Sequence, residues 1–293
     1  MNVNYFSGRV LTAIGKEADE LSLQNQKAYI NCLRILAIIG MAMVAAFLFY
    51  DELDLEVMIF VYAVLMVAGG LTLYNAKKKQ YHTNYINYRL LAEVIRVQNV
   101  FCSAGIEKNA AEYFSYTMRD DIEWIWEIIE NSKHDSKTLT IEELKSTWLL
   151  EQYNYHVSAE KTTRKKLKVN NRISNGVKIA VIVIVVVACL LELIPDIDMH
   201  NVVGAITVKG YVLIAVGLLS AISLFLASYY GKQNLERKIS DHVEMAKLYD
   251  SVIKKTETEP LTKAIIENTA REEILENGNW FSYMKNNKLS LDF

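Results

Sequence analysis

The stretch VKIAVIVIVVVACLLELI (177–194) decides how the rest of the chain is read. At about 1.5 Å per residue, a helix of this length matches the hydrocarbon thickness of a bilayer. A buried parallel strand would share its Val and Ile content, but strands usually end within about ten residues. The rims also suit a membrane. Arg172 and Lys178 lie at the start, and Glu192 with the Pro195-Asp196 break at the end, where long side chains can reach the headgroups.

Three further runs share this character, 33–50, 57–74 and 211–230, and the four pair into two hairpins. The first is closed by DELDLE (51–56) and the second by IPDIDMHNVVGAITVKG (194–210). Basic residues crowd the opposite ends: Lys27 and Arg34, then Lys77, Lys78 and Lys79, then RKKLK (164–168) with Arg172, then Lys232, Arg237 and Lys238. Lys and Arg beside span ends mark the cytoplasmic side, so both termini and the segment 75–176 are expected in the cytoplasm. Lys209 alone lies on the predicted outer side.

The expected fold class is therefore all-α, a four-span helical membrane protein with a cytoplasmic helical bundle. Its parts are an N-terminal cytoplasmic helix (1–32), a first hairpin (33–74), a helical domain (75–176), a second hairpin (177–230) and C-terminal helices (231–293). With 52% hydrophobic and 23% charged residues the chain is too charged for an all-membrane protein and too rich in long apolar runs for a purely soluble one. The net charge of −2 hides a segregated distribution and makes no case for nucleic acid. Cys32, Cys102 and Cys189 lack C-x-x-C spacing and read as unpaired, reduced thiols. Prolines occur only at 195 and 260, outside the predicted helices, so long unbroken helices are expected.

Residues 1–32 carry no short apolar core or small-residue cleavage site of a signal peptide and read as a helix entering span one. After the basic stop, Tyr81, Tyr85, Tyr88, Leu91 and Ile95 follow helical periodicity up to Gly105. A second helix is predicted over about 108–131. Thr140-x-x-Glu143 is a capping box opening a third, which has no breaker before Gly176 and should run into span three. Span four should pass through Gly231 into an amphipathic helix ending near Pro260. A short last helix, about 261–276, should precede the aromatic NWFSYMKNN.

The order of a hairpin, YRLLAEVIRVQNVFCSAGI (88–106), DDIEWIWEII (120–129), WLLEQYNYH (148–156), a second hairpin and a closing E-x-x-x-E-N-G-x-W from Glu272 to Trp280 resembles a known group. It is similar to the prokaryotic SLATT-like and SMODS-associated four-span transmembrane effectors, found with nucleotide-second-messenger synthases and SLOG sensors. The resemblance implies a pore-forming or membrane-disrupting effector of phage defence in the bacterial inner membrane. It would be opened by a nucleotide second messenger or by a partner sensor or synthase protein. Unlike many SLOG-linked relatives, the sequence has no α/β nucleotide-binding pattern, so recognition would fall to the helical domain or to a partner.

Catalytic signatures are missing: there is no Walker loop, G-x-G-x-x-G, G-x-S-x-G or H-E-x-x-H. No enzyme activity, cofactor or metal is expected. The histidines at 82, 134, 156, 200 and 242 are scattered singly. His156 is read first as a packing residue hydrogen-bonded to a carboxylate, with a pH sensor as the sharper alternative. Trp124, Trp126 and Trp148 are read as core or interface residues in preference to an aromatic cage. Arg89 and Arg96 flank Glu93 on one helix face, where intrahelical pairing is the simple reading and phosphate binding the functional one. Arg164, Lys165, Lys166 and Lys168 are assigned to anionic lipid headgroups.

In the spans, Gly217, Ser220, Ala221 and Ser228 form a small-residue stripe on span four, which suits a pore lining or helix packing. Ala68-Gly69-Gly70 on span two is read as close packing rather than a hinge. Four spans are too few to enclose a wide pore, so conduction would require a homo-oligomer, most simply a ring. The alternative to an effector is a non-conducting scaffold whose bundle docks a partner protein.

Overall fold

The computed structural model describes residues 5–6, 8–134, 138–193, 202–203 and 206–287. In order come α1 (Leu11–Glu52), α2 (Val57–Lys78), α3 (Tyr81–Ala104), two 3-10 turns (Ala110–Tyr113 and Tyr116–Met118) and α4 (Arg119–Glu130). Then follow α5 (Ile141–Leu144), a π-type turn (Lys145–Leu150), α6 (Glu151–Glu192), strands β1 (Val202–Val203) and β2 (Ile206–Thr207), α7 (Val208–Gln233), α8 (Leu235–Thr258) and α9 (Lys263–Asn286). The two short strands pair antiparallel between spans three and four. The Pro195-Asp196 break, His200 and residues 135–137 lie outside the described residues.

One compact unit comprises Tyr29–Lys79 and Thr163–Arg237. Four helical stretches are long and apolar enough to cross a membrane: Leu11–Glu52, Val57–Ala104, Ile141–Leu191 and Val208–Thr258. Helix α1 has 42 residues, about 63 Å at 1.5 Å per residue and roughly twice a bilayer's hydrocarbon core. Only its second half can therefore be span one, and the same holds for the 42 residues of α6. Phe60, Val64, Ile179, Ile182 and Leu224 are exposed along these helices, an apolar surface that lipid solvates and water does not.

Inside this unit α1 and α7 approach closely. Gly40 lies under the ring of Phe225, and a Cβ on Gly217 would stand 2.8 Å from Leu48 Cδ1. Ala221 is buried one turn further on, whereas Ser220 and Ser228 are exposed. The small-residue stripe thus divides into a packed side and an outward side. Of the Gly69-Gly70 pair, only Gly69 faces a neighbour, with Ile39 3.5 Å from its would-be Cβ; Gly70 faces open space.

The second unit, the helical domain, comprises Met1–Ala28, Gln80–Thr162 and Lys238–Phe293. Its axis is α3, whose Leu90, Leu91, Val94, Ile95, Val97 and Phe101 are enclosed and which packs along α9. Leu11, Ile14 and Ala18 of α1 bury onto the same core. The lack of a side chain at Gly15 lets α1 ride against Ile95, whose Cγ2 is 2.8 Å from the position of a Cβ there. Gly105 ends α3 at φ +65°, a left-handed cap that glycine adopts without penalty. Thr140 and Glu143 make the capping box in full, and the following π-type turn sets Trp148 and Leu149 into the core.

Three local expectations need correction. The helix predicted over 108–131 begins only at Arg119, because side chains replace the backbone ladder ahead of it: Gln98 Oε1 accepts from Ala110 N at 2.7 Å and Asn109 Oδ1 from Ala111 N at 2.9 Å. The last helix is capped by Thr262 and continues through Gly278 to Asn286, since the missing side chain at Gly278 admits Phe114 and Met118 to within 3.0 Å of a would-be Cβ. Span four passes Gly231 unbroken but stops at Asn234, which takes a left-handed conformation at φ +50°, one that Asn tolerates better than most residues.

Candidate functional site

Arg89, Glu93 and Arg96 fall on one face of α3 by helical spacing, and that face closes one side of a cavity of about 280 Å³. The other walls are Ser22 and Gln26 of α1, Tyr155 and His156 of α6, Lys238, Asp241, His242 and Met245 of α8, and Glu273, Glu276 and Trp280 of α9. Every one of these residues belongs to the helical domain.

The charges are paired in a chain. Arg89 pairs with Glu93 on its own helix and with Asp19 of α1 at 3.2 Å. Arg96 reaches Glu93 and Glu273, each at 2.5 Å. Glu273, 1% exposed, also accepts the Tyr249 hydroxyl at 2.5 Å. Two guanidinium groups thus serve three carboxylates. Burial opposes the ionisation of Glu93, yet Arg96 and Arg89 hold its carboxyl below the usual carboxylate range. Burial and the neighbouring Glu273 push the Tyr249 phenol up, so it remains a donor.

On the facing wall, His156 Nδ1 and His242 Nδ1 stand 3.1 Å apart. The His156 ring stacks on Tyr249 at 5.9 Å. Burial, followed by His242 and Arg96, lowers His156 to about 4, and burial with Lys238 lowers His242. Both imidazoles are therefore neutral near pH 7. Glu276 moves the other way: burial, then Asp241, Glu93 and Glu273, raise it to about 7.

These shifts set a pH dependence of stability. Glu276 holds its proton more tightly folded than unfolded, so its contribution is complete below about 4.5 and is lost as pH rises through about 7. His156 is depressed, so its contribution is present above 6.5 and is lost as pH falls toward about 4. In thermal unfolding against pH, Glu276→Gln is expected to remove the decline on the alkaline side and keep the one on the acid side. An alkaline decline unchanged in that variant refutes the assignment to Glu276.

The sequence candidates are only partly brought together. Arg89, Arg96 and His156 share the cavity. The expectation of a carboxylate partner for His156 is corrected, because the hydrogen bond runs to His242 across α6 and α8. The tryptophans do not form a cage. Trp148 is buried edge-on to Tyr249 at 6.1 Å, Trp124 donates to Asp121 O at 2.9 Å, and Trp126 is 42% exposed. Arg164, Lys165, Lys166 and Lys168 are exposed on α6 within the span unit. Glu273, Tyr249 and His242 were not singled out by sequence. The one available signal was the shared face of His242, Met245, Tyr249 and Val252 at helical spacing on α8. Among the described residues no three metal-ligating side chains gather.

Chemically, the arrangement is a charged, aromatic-walled cavity joined to a buried ion network. A comparison with known proteins finds no matching family model, no matching curated protein and no matching solved structure.

Proposed function

We propose that the chain is an oligomeric, pore-forming membrane effector opened by a signal received in its helical domain, acting in the bacterial inner membrane in phage defence. The observation that carries this reading is connectivity. Four of the five helices that line the cavity run on into the four spans: α1 and α6 directly, α3 from α2 through Gln80, and α8 from α7 through Asn234. For α1 and α6, a change in how the helix packs at the cavity is a change in the same helix that crosses the bilayer, which is the form of a gated device. The sequence resemblance to SLATT-like effectors supports the same reading, and the scarcity of charge within the spans fits a pore closed by hydrophobic contact. The exposed Ser220 and Ser228 offer a polar strip to a neighbouring copy or to the ion path. Lys and Arg beside the span ends support a cytoplasmic helical domain, with the basic residues 164–168 against anionic lipid.

The test is membrane potential in cells expressing the chain, read with a voltage-sensitive dye, with and without phage challenge. Depolarisation that requires the challenge and is lost in Ser220→Leu, Ser228→Leu, with the protein still inserted, is the expected result. A correctly inserted chain that never depolarises the cell sinks the pore and leaves the docking scaffold. Orientation has its own check: a tag placed in 51–56 is expected to be accessible from outside intact cells and one placed in 132–138 is not, and the opposite pattern overturns the topology.

A further inference from the structure

The two arginines of the cavity are spent before any ligand arrives. Arg89 and Arg96 are both engaged by Glu93, with Asp19 and Glu273 as their second partners. Glu276, on the same wall, is paired with no basic side chain among the described residues. It faces Glu93, Arg89 and Arg96 from α3, Lys238, Asp241 and His242 from α8, His156 from α6, and Glu273 from its own helix. This environment leaves neither arginine free for an added phosphate and has one carboxyl, Glu276, to offer a cation.

The histidine pair supplies direction. Between two Nδ1 atoms 3.1 Å apart only one proton fits. The ring that carries it has a bare Nε2, and the other ring, neutral with a bare Nδ1, must carry its proton on Nε2. His156 is about nine-tenths buried, and its Nε2 has no partner among the described residues. The wall thus presents one imidazole acceptor and one imidazole donor. Aromatic rings complete it: Trp280 meets Tyr85 edge-to-face at 5.9 Å, and Tyr155 meets His156 at 5.1 Å, and ring faces of this kind attract cations. The volume of about 280 Å³ corresponds to roughly nine water molecules in the liquid. That suits a compact molecule, and a dinucleotide is too large.

We propose that this cavity binds a small organic cation, an amine carrying one further hydrogen-bonding group. The ammonium lies between Glu276 and the Trp280 ring, and the polar end meets the His156–His242 pair. The inference rests on the helical domain being the receiving part of the effector, and it assigns the chemical class of what is received. Cation binding displaces the Glu276 proton. Because that carboxyl titrates at about 7, affinity is expected to rise about tenfold between pH 6 and pH 8.

The experiment is titration calorimetry on the full chain in detergent micelles, with agmatine and ethanolamine as cationic probes and ATP as the anionic one, accompanied by tryptophan fluorescence. Agmatine is expected to bind, more tightly at pH 8 than at pH 6. Glu276→Gln should lose at least tenfold in affinity together with the pH dependence. The neutral isostere of a carboxyl that resists ionisation is expected to fold, and Trp280→Phe should lose the fluorescence change. No binding of either amine at millimolar concentration, tighter binding of ATP, or an unaltered Glu276→Gln overturns the proposal. Amine binding by a chain that never depolarises cells supports this site and sinks the effector reading. Depolarisation on phage challenge without amine binding does the reverse.

Discussion

Glu273→Gln is expected to cost the helical domain about 3–5 kcal/mol, the range for removing one partner of a buried ion pair. On a domain of this size that is a fall of roughly 10 °C in unfolding temperature. Glu273 is 1% exposed and accepts from Arg96 and Tyr249 together. The amide keeps the shape but removes the charge, leaving Arg89 and Arg96 to share Glu93 within the core, and it offers only one acceptor oxygen to Arg96 and Tyr249 where the carboxylate offered two. Removing both partners should be milder. Arg96→Met with Glu273→Leu leaves Arg89 balanced by Glu93 and replaces a buried pair by apolar groups of similar volume, a change that is often close to neutral. Circular dichroism against temperature reads both variants. A double variant as unstable as Glu273→Gln would falsify the view that the penalty comes from the uncompensated guanidinium.

The pairing within α3 could be read from sequence, since Arg89, Glu93 and Arg96 recur at helical spacing on one face. What could not be read is the second shell of partners. Glu273 is 177 residues from Arg96 and His242 is 86 from His156, and nothing local says which faces of α8 and α9 turn toward α3. The spans were legible because hydropathy alone selects them. The capping box at Thr140 and the glycine cap at Gly105 were legible because each is a local hydrogen-bond or backbone solution. Two of the misread segments are those where tertiary contacts replaced local rules: the 3-10 turns fastened by Gln98 and Asn109, and α9, which continues past Gly278 because Phe114 and Met118 pack there; the third, the stop at Asn234, is a local left-handed turn.

The paired arginines also change how the helical domain is understood. Read from sequence, Arg89 and Arg96 pair with Glu93 along their own helix, with phosphate binding as the functional alternative. In the fold they tie α3 to α1 and α9 through Asp19 and Glu273, so their first effect is to fix how these helices meet. A ligand that acts on this domain therefore acts through a network that is already closed. Its leverage lies at the groups the network leaves over, Glu276 and the imidazole pair.

Within the span unit, the largest effect is expected from Gly40→Leu combined with Gly217→Leu. The two sites are unequal. At Gly217 a new Cβ meets only the mobile tip of Leu48, so Gly217→Ala should be tolerated through a rotamer change, while the branched leucine must push the helices apart. At Gly40 the end of the Phe225 ring occupies the space a Cβ would need, and a planar ring can leave only by swinging as a whole. Overpacking costs about 1–3 kcal/mol at each site, and in lipid no hydrophobic force compensates for lost helix contact. The double variant should insert normally, because leucine favours the bilayer, yet unfold at a lower temperature in micelles than Gly217→Ala and fail to depolarise cells. The Glu273 network lies in the other unit, where uncoupled sites would add within about 0.5 kcal/mol; a gate driven from the cavity is expected to exceed that margin. Additivity within that margin would show instead that the packing of the spans and the ion network of the helical domain are energetically independent, which a gate driven from the cavity does not allow.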